Sequence, residues 1–134
     1  MRALSAESLL GLPVRLRGIR LGRPVDLLLD PAEWRVLGFD VRCGDGTSRF
    51  LAWTTVRLGE EALDVDSALL LLEDVDFYRT RARSLRVLRG AETELGPLRD
   101  VLVAEDGAVV EVVVGQRHVP PGDIVLVAEP SPTG

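Results

Sequence analysis

The stretch Val14 to Asp30 (VRLRGIRLGRPVDLLLD) returns in looser form from Val87 to Ala104 (VLRGAETELGPLRDVLVA). Leu21-Gly22 recurs as Leu95-Gly96, 74 residues on. Asp26 followed by the aliphatics Leu27 to Leu29 recurs as Asp100 followed by Val101 to Val103. After a one-residue gap, Val36 to Val41 falls opposite Val109 to Val114, and Leu51 to Val56 falls opposite Val119 to Ile124. An internal repeat of this kind means one supersecondary unit used twice. A chain of 134 residues has room for one ordinary domain or two very small ones.

Local chemistry makes the unit β. Short Val- and Leu-rich runs are cut by turn residues at the spacing of small sheets and barrels. Gly18 with Gly22, and Gly90 with Gly96, bracket turns that call for positive φ. Cys43-Gly44-Asp45-Gly46-Thr47 and Glu105-Asp106-Gly107 carry Asp-Gly hairpin signals. Pro120-Pro121-Gly122 is a further turn, leading into a strand over Asp123 to Ala128. The run Val109 to Val114 is almost continuously apolar, so both its faces are expected to be covered. Helix is scarce: Ser5 is placed to cap one turn ending at Leu10-Gly11, and Glu73 to Ser84, acidic first and basic last, suits a short linking helix.

The Leu-Gly and Asp-aliphatic series followed by a second apolar strand, with the opening Leu10-Gly11-Leu12-Pro13-Val14, resembles the PRC-barrel family. The resemblance covers nearly the whole chain as two units. It implies an all-β protein of two small PRC-barrel-like barrels in tandem, joined by a short helical or irregular linker. The units are residues 1–78 and a shorter 84–130, with a linker over 79–83 and a disordered tail over 131–134. The family's motifs are structural glycines, an aspartate and aliphatics, so they specify fold rather than chemistry. Its members include the cytoplasmic part of a photosynthetic reaction-centre subunit and the C-terminal domain of a ribosome-maturation factor. The membrane helix of the first and the N-terminal domain of the second have no counterpart here.

Composition narrows the function. Apolar residues make up 46% and charged residues 28%, the balance of a globular chain. A single cysteine, Cys43, excludes a disulfide framework and any zinc site built on several thiolates. No secretory signal opens the chain, and the longest aliphatic run, Ala68 to Leu72, is far short of a membrane span. A cytoplasmic location without membrane insertion is expected. The net charge of −5 disfavours direct binding to nucleic acid. All 16 basic residues are Arg, which suits bidentate contacts at an interaction surface.

Few residues invite chemistry. His118 is the only histidine and has no orienting partner in sequence, and Cys43 precedes a turn with nothing nearby to lower its pKa. The acidic run Glu60, Glu61, Asp64, Asp66, Glu73, Asp74 and Asp76 lacks the spacing and glycine of a calcium loop and reads as a solvated face. Asp26 and Asp100, at matching positions, are expected to share a structural task such as bonding turn amides. No phosphate loop, nucleophile elbow or dinucleotide fingerprint is present. No catalytic residue, metal ligand or cofactor is therefore assigned.

The interaction candidates are Phe77, Tyr78, Arg79, Arg81, Arg83, Arg86 and Arg89, an Arg-aromatic grouping typical of interface anchors. Trp34, in a turn-like segment, joins them as a contact site, while Phe39 and Phe50 are expected in the core. The expectation is a non-enzymatic adaptor that docks onto a protein complex and can pair with itself through sheet edges. The alternatives are a ribosome- or RNA-associated maturation factor and a small-molecule sensor with a ligand between the units.

Overall fold

The computed structural model describes residues 3–30, 32–73, 85–89 and 93–128. The chain opens with a two-residue strand, β1 (Leu4–Ser5), and a single helical turn, α1 (Ala6–Leu10). The Ser5 hydroxyl accepts from the Ser8 amide to cap α1, and Gly11 closes it. The first repeat then runs β2 (Val14–Leu16), β3 (Ile19–Asp30), β4 (Arg35–Cys43), β5 (Ser48–Ala52), a 3-10 turn over Trp53–Thr55, and β6 (Arg57–Leu58). Two further strands, β7 (Leu63–Val65) and β8 (Leu71–Glu73), complete a seven-stranded sheet in the order β6-β7-β2-β3-β4-β5-β8. Among the described strands only the β2–β7 pair is parallel.

The second repeat has the same order of parts. β9 (Leu85–Arg89) corresponds to β2, and β10 (Thr93–Pro97) with β11 (Asp100–Val103) corresponds to the long β3. β12 (Val109–Val114) matches β4, and β13 (Arg117–Val119) matches β5. A 3-10 turn over Pro121–Asp123 then leads to β14 (Val125–Ala128), as Trp53–Thr55 leads to β6. The correspondence extends to a bulge. In the first repeat Val14 pairs with Gly22, and the next pair is Arg15 with Arg20. In the second Val87 pairs with Gly96, and the next pair is Leu88 with Glu94. One extra residue, Leu21 or Leu95, is squeezed into the same place in both. The second repeat's strands, joined by β1, form two sheets, β1-β11-β12-β13 and β10-β9-β14. The chain is thus mostly β, as its sequence implies, and no sheet closes into a barrel among the described residues.

The two repeats meet at equivalent backbone atoms. The Val36 amide donates to the Gly107 carbonyl at 2.8 Å, and the Val109 amide donates to the Trp34 carbonyl at 2.8 Å. Val36 and Val109 are repeat equivalents, as are Trp34 and Gly107, so the contact is reciprocal in the way a twofold dimer interface is. Both inner residues adopt left-handed backbone, Trp34 at φ 54° and Gly107 at φ 93°. Trp53 fastens the join. Its indole N–H donates to the Glu105 carbonyl at 3.0 Å, and its ring stacks on Phe39 with centroids 5.6 Å apart. Gly107 lies against that ring, where a Cβ would come within 3.1 Å. Beneath the seam, one hydrophobic cluster takes Leu27, Leu29, Phe39, Leu51 and Leu63 from the first repeat together with Val101, Val103, Val112, Val119 and Ile124 from the second.

Both faces of the β3–β4–β5 region are buried, which explains its near-continuous apolar sequence. Leu27, Phe39, Val41 and Leu51 face the cluster, while Leu28, Asp26, Asp40 and Phe50 are buried on the other side. Tight packing there requires glycine at position 38, where a Cβ would sit 2.2 Å from the Leu51 carbonyl oxygen and 2.9 Å from the Phe50 ring. Gly38→Ala should therefore lose about 1–3 kcal/mol of stability. Gly44→Ala, with nothing within 4 Å of the added carbon, should change it by less than about 0.5 kcal/mol. Chemical denaturation of both variants checks the contrast.

The β4–β5 hairpin turns through Gly46 at φ 85°. There the Thr47 hydroxyl and amide donate to the Asp45 carboxylate at 2.6 and 3.0 Å. These two bonds, aided by the charge of Arg49, hold the Asp45 carboxyl below its usual value. A carboxyl depressed in the folded state stabilises the turn above the unfolded pKa, and that contribution is lost as pH falls through the folded pKa. An NMR acid titration followed at the Thr47 amide should give a midpoint below that of an unstructured Asp-containing peptide. An equal midpoint would count against these bonds.

Candidate functional site

Of the interaction candidates named from sequence, Phe77, Tyr78, Arg79, Arg81 and Arg83 lie outside the described residues. Arg86 and Arg89 fall on β9, where Arg86 is in register with Pro97 and Val127 and Arg89 with Thr93. Trp34 is placed in the seam between the repeats, half-buried and packed against the core.

The residues weighed for chemistry do not converge. His118 is exposed on β13, its Nδ1 2.7 Å from Glu111. Cys43 is half-buried at the end of β4. Within the acidic run, Glu60 and Glu61 are exposed in a loop, Asp64 lies on β7, and Asp66 pairs with Arg57. Asp74 and Asp76 lie outside the described residues. Among the described residues no three His, Cys, Asp or Glu side chains are grouped as metal ligands would be, and no helix is long and apolar enough to cross a membrane.

Asp26 and Asp100 do share a task. Each accepts the amide of the following residue, Leu27 or Val101, at 2.8 Å. Asp100 does more. It accepts the Ser5 hydroxyl at 2.6 Å and the Glu7 amide at 3.0 Å, tying the start of α1 to the second repeat where β1 pairs with β11. Asp26 stands directly opposite Asp40 on β4, both almost fully buried, and both residues take further interactions. A cleft of about 420 Å³ opens beside α1, between Leu4, Leu9, Val56 and Leu58, with Glu60 and Glu105 at its rim.

Compared with known proteins, the chain matches no family model and no curated protein. The geometry therefore has to carry the reading by itself.

The charged feature missed from sequence lies on the first repeat's sheet. Arg15 stands directly opposite Arg20, and Arg23 directly opposite Arg42. Val14 and Val41, the neighbours of Arg15 and Arg42, are wholly buried in the core. Strand alternation thus turns both arginine pairs outward to the opposite face. Bulges at Leu21 and Val25 set this alignment, and spacing along the sequence gave no sign of it.

Loss of the Asp100 carboxylate should release the N-terminus. Asp100→Ala removes two accepted bonds that hold β1 and α1, at a cost of about 1–2 kcal/mol. Hydrogen exchange should then quicken over residues 4–10 and leave the Val36 and Val109 amides protected. Unchanged exchange over 4–10 would refute the tether.

Proposed function

We propose that this chain is a non-enzymatic adaptor, a tandem of two PRC-barrel-like units over 1–78 and 84–130 that docks onto a cytoplasmic protein complex. The observation that carries the reading is apolar surface left in water beside open sheet edges. Leu69 is 85% and Leu72 51% exposed at β8, which ends the seven-stranded sheet, and Val125 is 51% exposed on β14, which ends another. Exposed apolar side chains on or beside the end strands of a sheet are suited to contact with another chain, whether a partner or a second copy. The polar side chains described above support the same reading, since Asp26, Asp100 and Trp53 all serve the backbone. The Arg-aromatic segment from Phe77 to Arg89 is assigned to docking by its composition.

A second reading is a small-molecule sensor, favoured by the 420 Å³ cleft between Leu4, Leu9, Val56 and Leu58, whose size is in the range of ligand pockets. A metabolite that raises the melting temperature in proportion to its concentration would favour it.

A tagged pull-down from source lysate, with and without nuclease, separates the main alternatives. A stoichiometric protein partner that survives nuclease, and is weakened by Arg81→Glu with Arg83→Glu, is the expected result. Ribosomal proteins lost on nuclease treatment would instead support ribosome or RNA association. Recovery of the bait alone would sink both.

A further inference from the structure

Two arginine pairs standing directly opposite each other on adjacent strands are unfavourable for the fold, because like-charged side chains rooted on Cβ atoms about 5 Å apart repel. Acids on the same face offset them only in part: Asp64 stands opposite Arg15 on β7, and Asp26 and Asp40 fill the rung next to Arg23 and Arg42. Arg15, Arg20, Arg23 and Arg42 make no ion pair with a described carboxylate, whereas Arg57 is held by Asp66 and Arg35 lies near Asp106. Asp64 is shared, since Arg57 flanks it on the other side. Arg17 adds a fifth guanidinium at the exposed hairpin tip, next to Ile19, which is 66% exposed.

The fold does not need these arginines. The second repeat has the same hairpin pairing and the same bulge between β9 and β10, and at the positions corresponding to Arg15, Arg20, Arg23 and Arg42 it carries Leu88, Glu94, Pro97 and Gly115. The stripe is also no by-product of a basic chain, since the net charge is −5. A local concentration of guanidinium groups without an ion pair among the described residues, on an otherwise acidic protein, marks a surface for an anion.

We propose that the outward face of β2–β3–β4, bearing Arg15, Arg17, Arg20, Arg23 and Arg42, binds an extended acidic segment of a partner protein. This rests on the adaptor reading and names part of its surface. Guanidinium groups grip carboxylates through paired parallel hydrogen bonds. An extended peptide presents side chains on one face roughly every 7 Å, the same repeat as outward positions along a strand, so carboxylates at alternate positions fit the arginine rows. Ile19 offers an apolar contact at the end of the track. Nucleic acid fits less well, because a phosphate backbone extends well beyond this short stripe into the field of a negatively charged protein.

The test is fluorescence anisotropy on the full chain with three labelled probes. These are a peptide with Glu at alternate positions, the same peptide with Gln, and a single-stranded oligonucleotide of equal charge. The Glu peptide should bind, the Gln peptide should bind at least tenfold more weakly, and added salt should weaken the first. Arg20→Glu and Arg23→Glu should each reduce Glu-peptide affinity about tenfold or more. Both should also raise the melting temperature by about 1–4 °C, because each turns a repulsive pair into an attractive one. A gain in stability with a loss of binding cannot come from misfolding. Tighter binding of the oligonucleotide, no binding of the Glu peptide, or unchanged affinity in both variants would overturn the proposal. If a stoichiometric partner is still captured from lysate when the peptide fails, the adaptor reading stands and only this surface is lost.

Discussion

The two hydrogen bonds that join Val36 to Gly107 and Val109 to Trp34 organise the molecule. They connect equivalent atoms of two repeats, so each repeat offers the other the same donor and the same acceptor. Backbone groups buried at such a join must be paired, and here the pairing is satisfied by left-handed residues on both sides. For glycine that conformation is undemanding, but for tryptophan it is costly. Trp34 tolerates it because the surroundings over-determine it, with the carbonyl bonded across the seam and the side chain packed against the shared core.

From that join the remaining contacts follow. Trp53 stacks on Phe39 within the first repeat, and its indole can bond Glu105 because the second repeat's turn is brought against β4. The N-terminal segment crosses to the second repeat, where Asp100 receives it. The hydrophobic cluster that results draws on residues from Ala6 to Ile124, so neither repeat buries its apolar face alone. That mutual dependence is the usual logic of stacked repeats, reduced here to two.

Much of this was legible in the sequence, and the exceptions have physical causes. The repeat itself, the Asp-Gly hairpins, the Ser5 cap and the common task of Asp26 and Asp100 could be read because each depends on local chemistry or on identical residues in both copies. Gly22 was visible but misassigned. It lies in β3 without positive φ, and its small size admits the Arg42 carbonyl, which a Cβ would meet at 2.5 Å. The equivalence of Trp34 and Gly107 was hidden because the two residues have nothing in common except a backbone angle. The arginine pairs were hidden because bulges break the simple alternation by which a reader assigns residues to faces.

The reciprocal seam also has an evolutionary consequence. When two identical chains meet about a twofold axis, every substitution occurs twice, and a patch can be built on one side only by building it on both. A covalent link removes that constraint. It also holds the second half at a high effective concentration, so the contact survives even if each half associates weakly with the other. One half is then free to keep the join while its outer face changes independently. Leu88, Glu94, Pro97 and Gly115 in one repeat where the other has four arginines are what such independence looks like: a symmetrical frame carrying an asymmetrical surface.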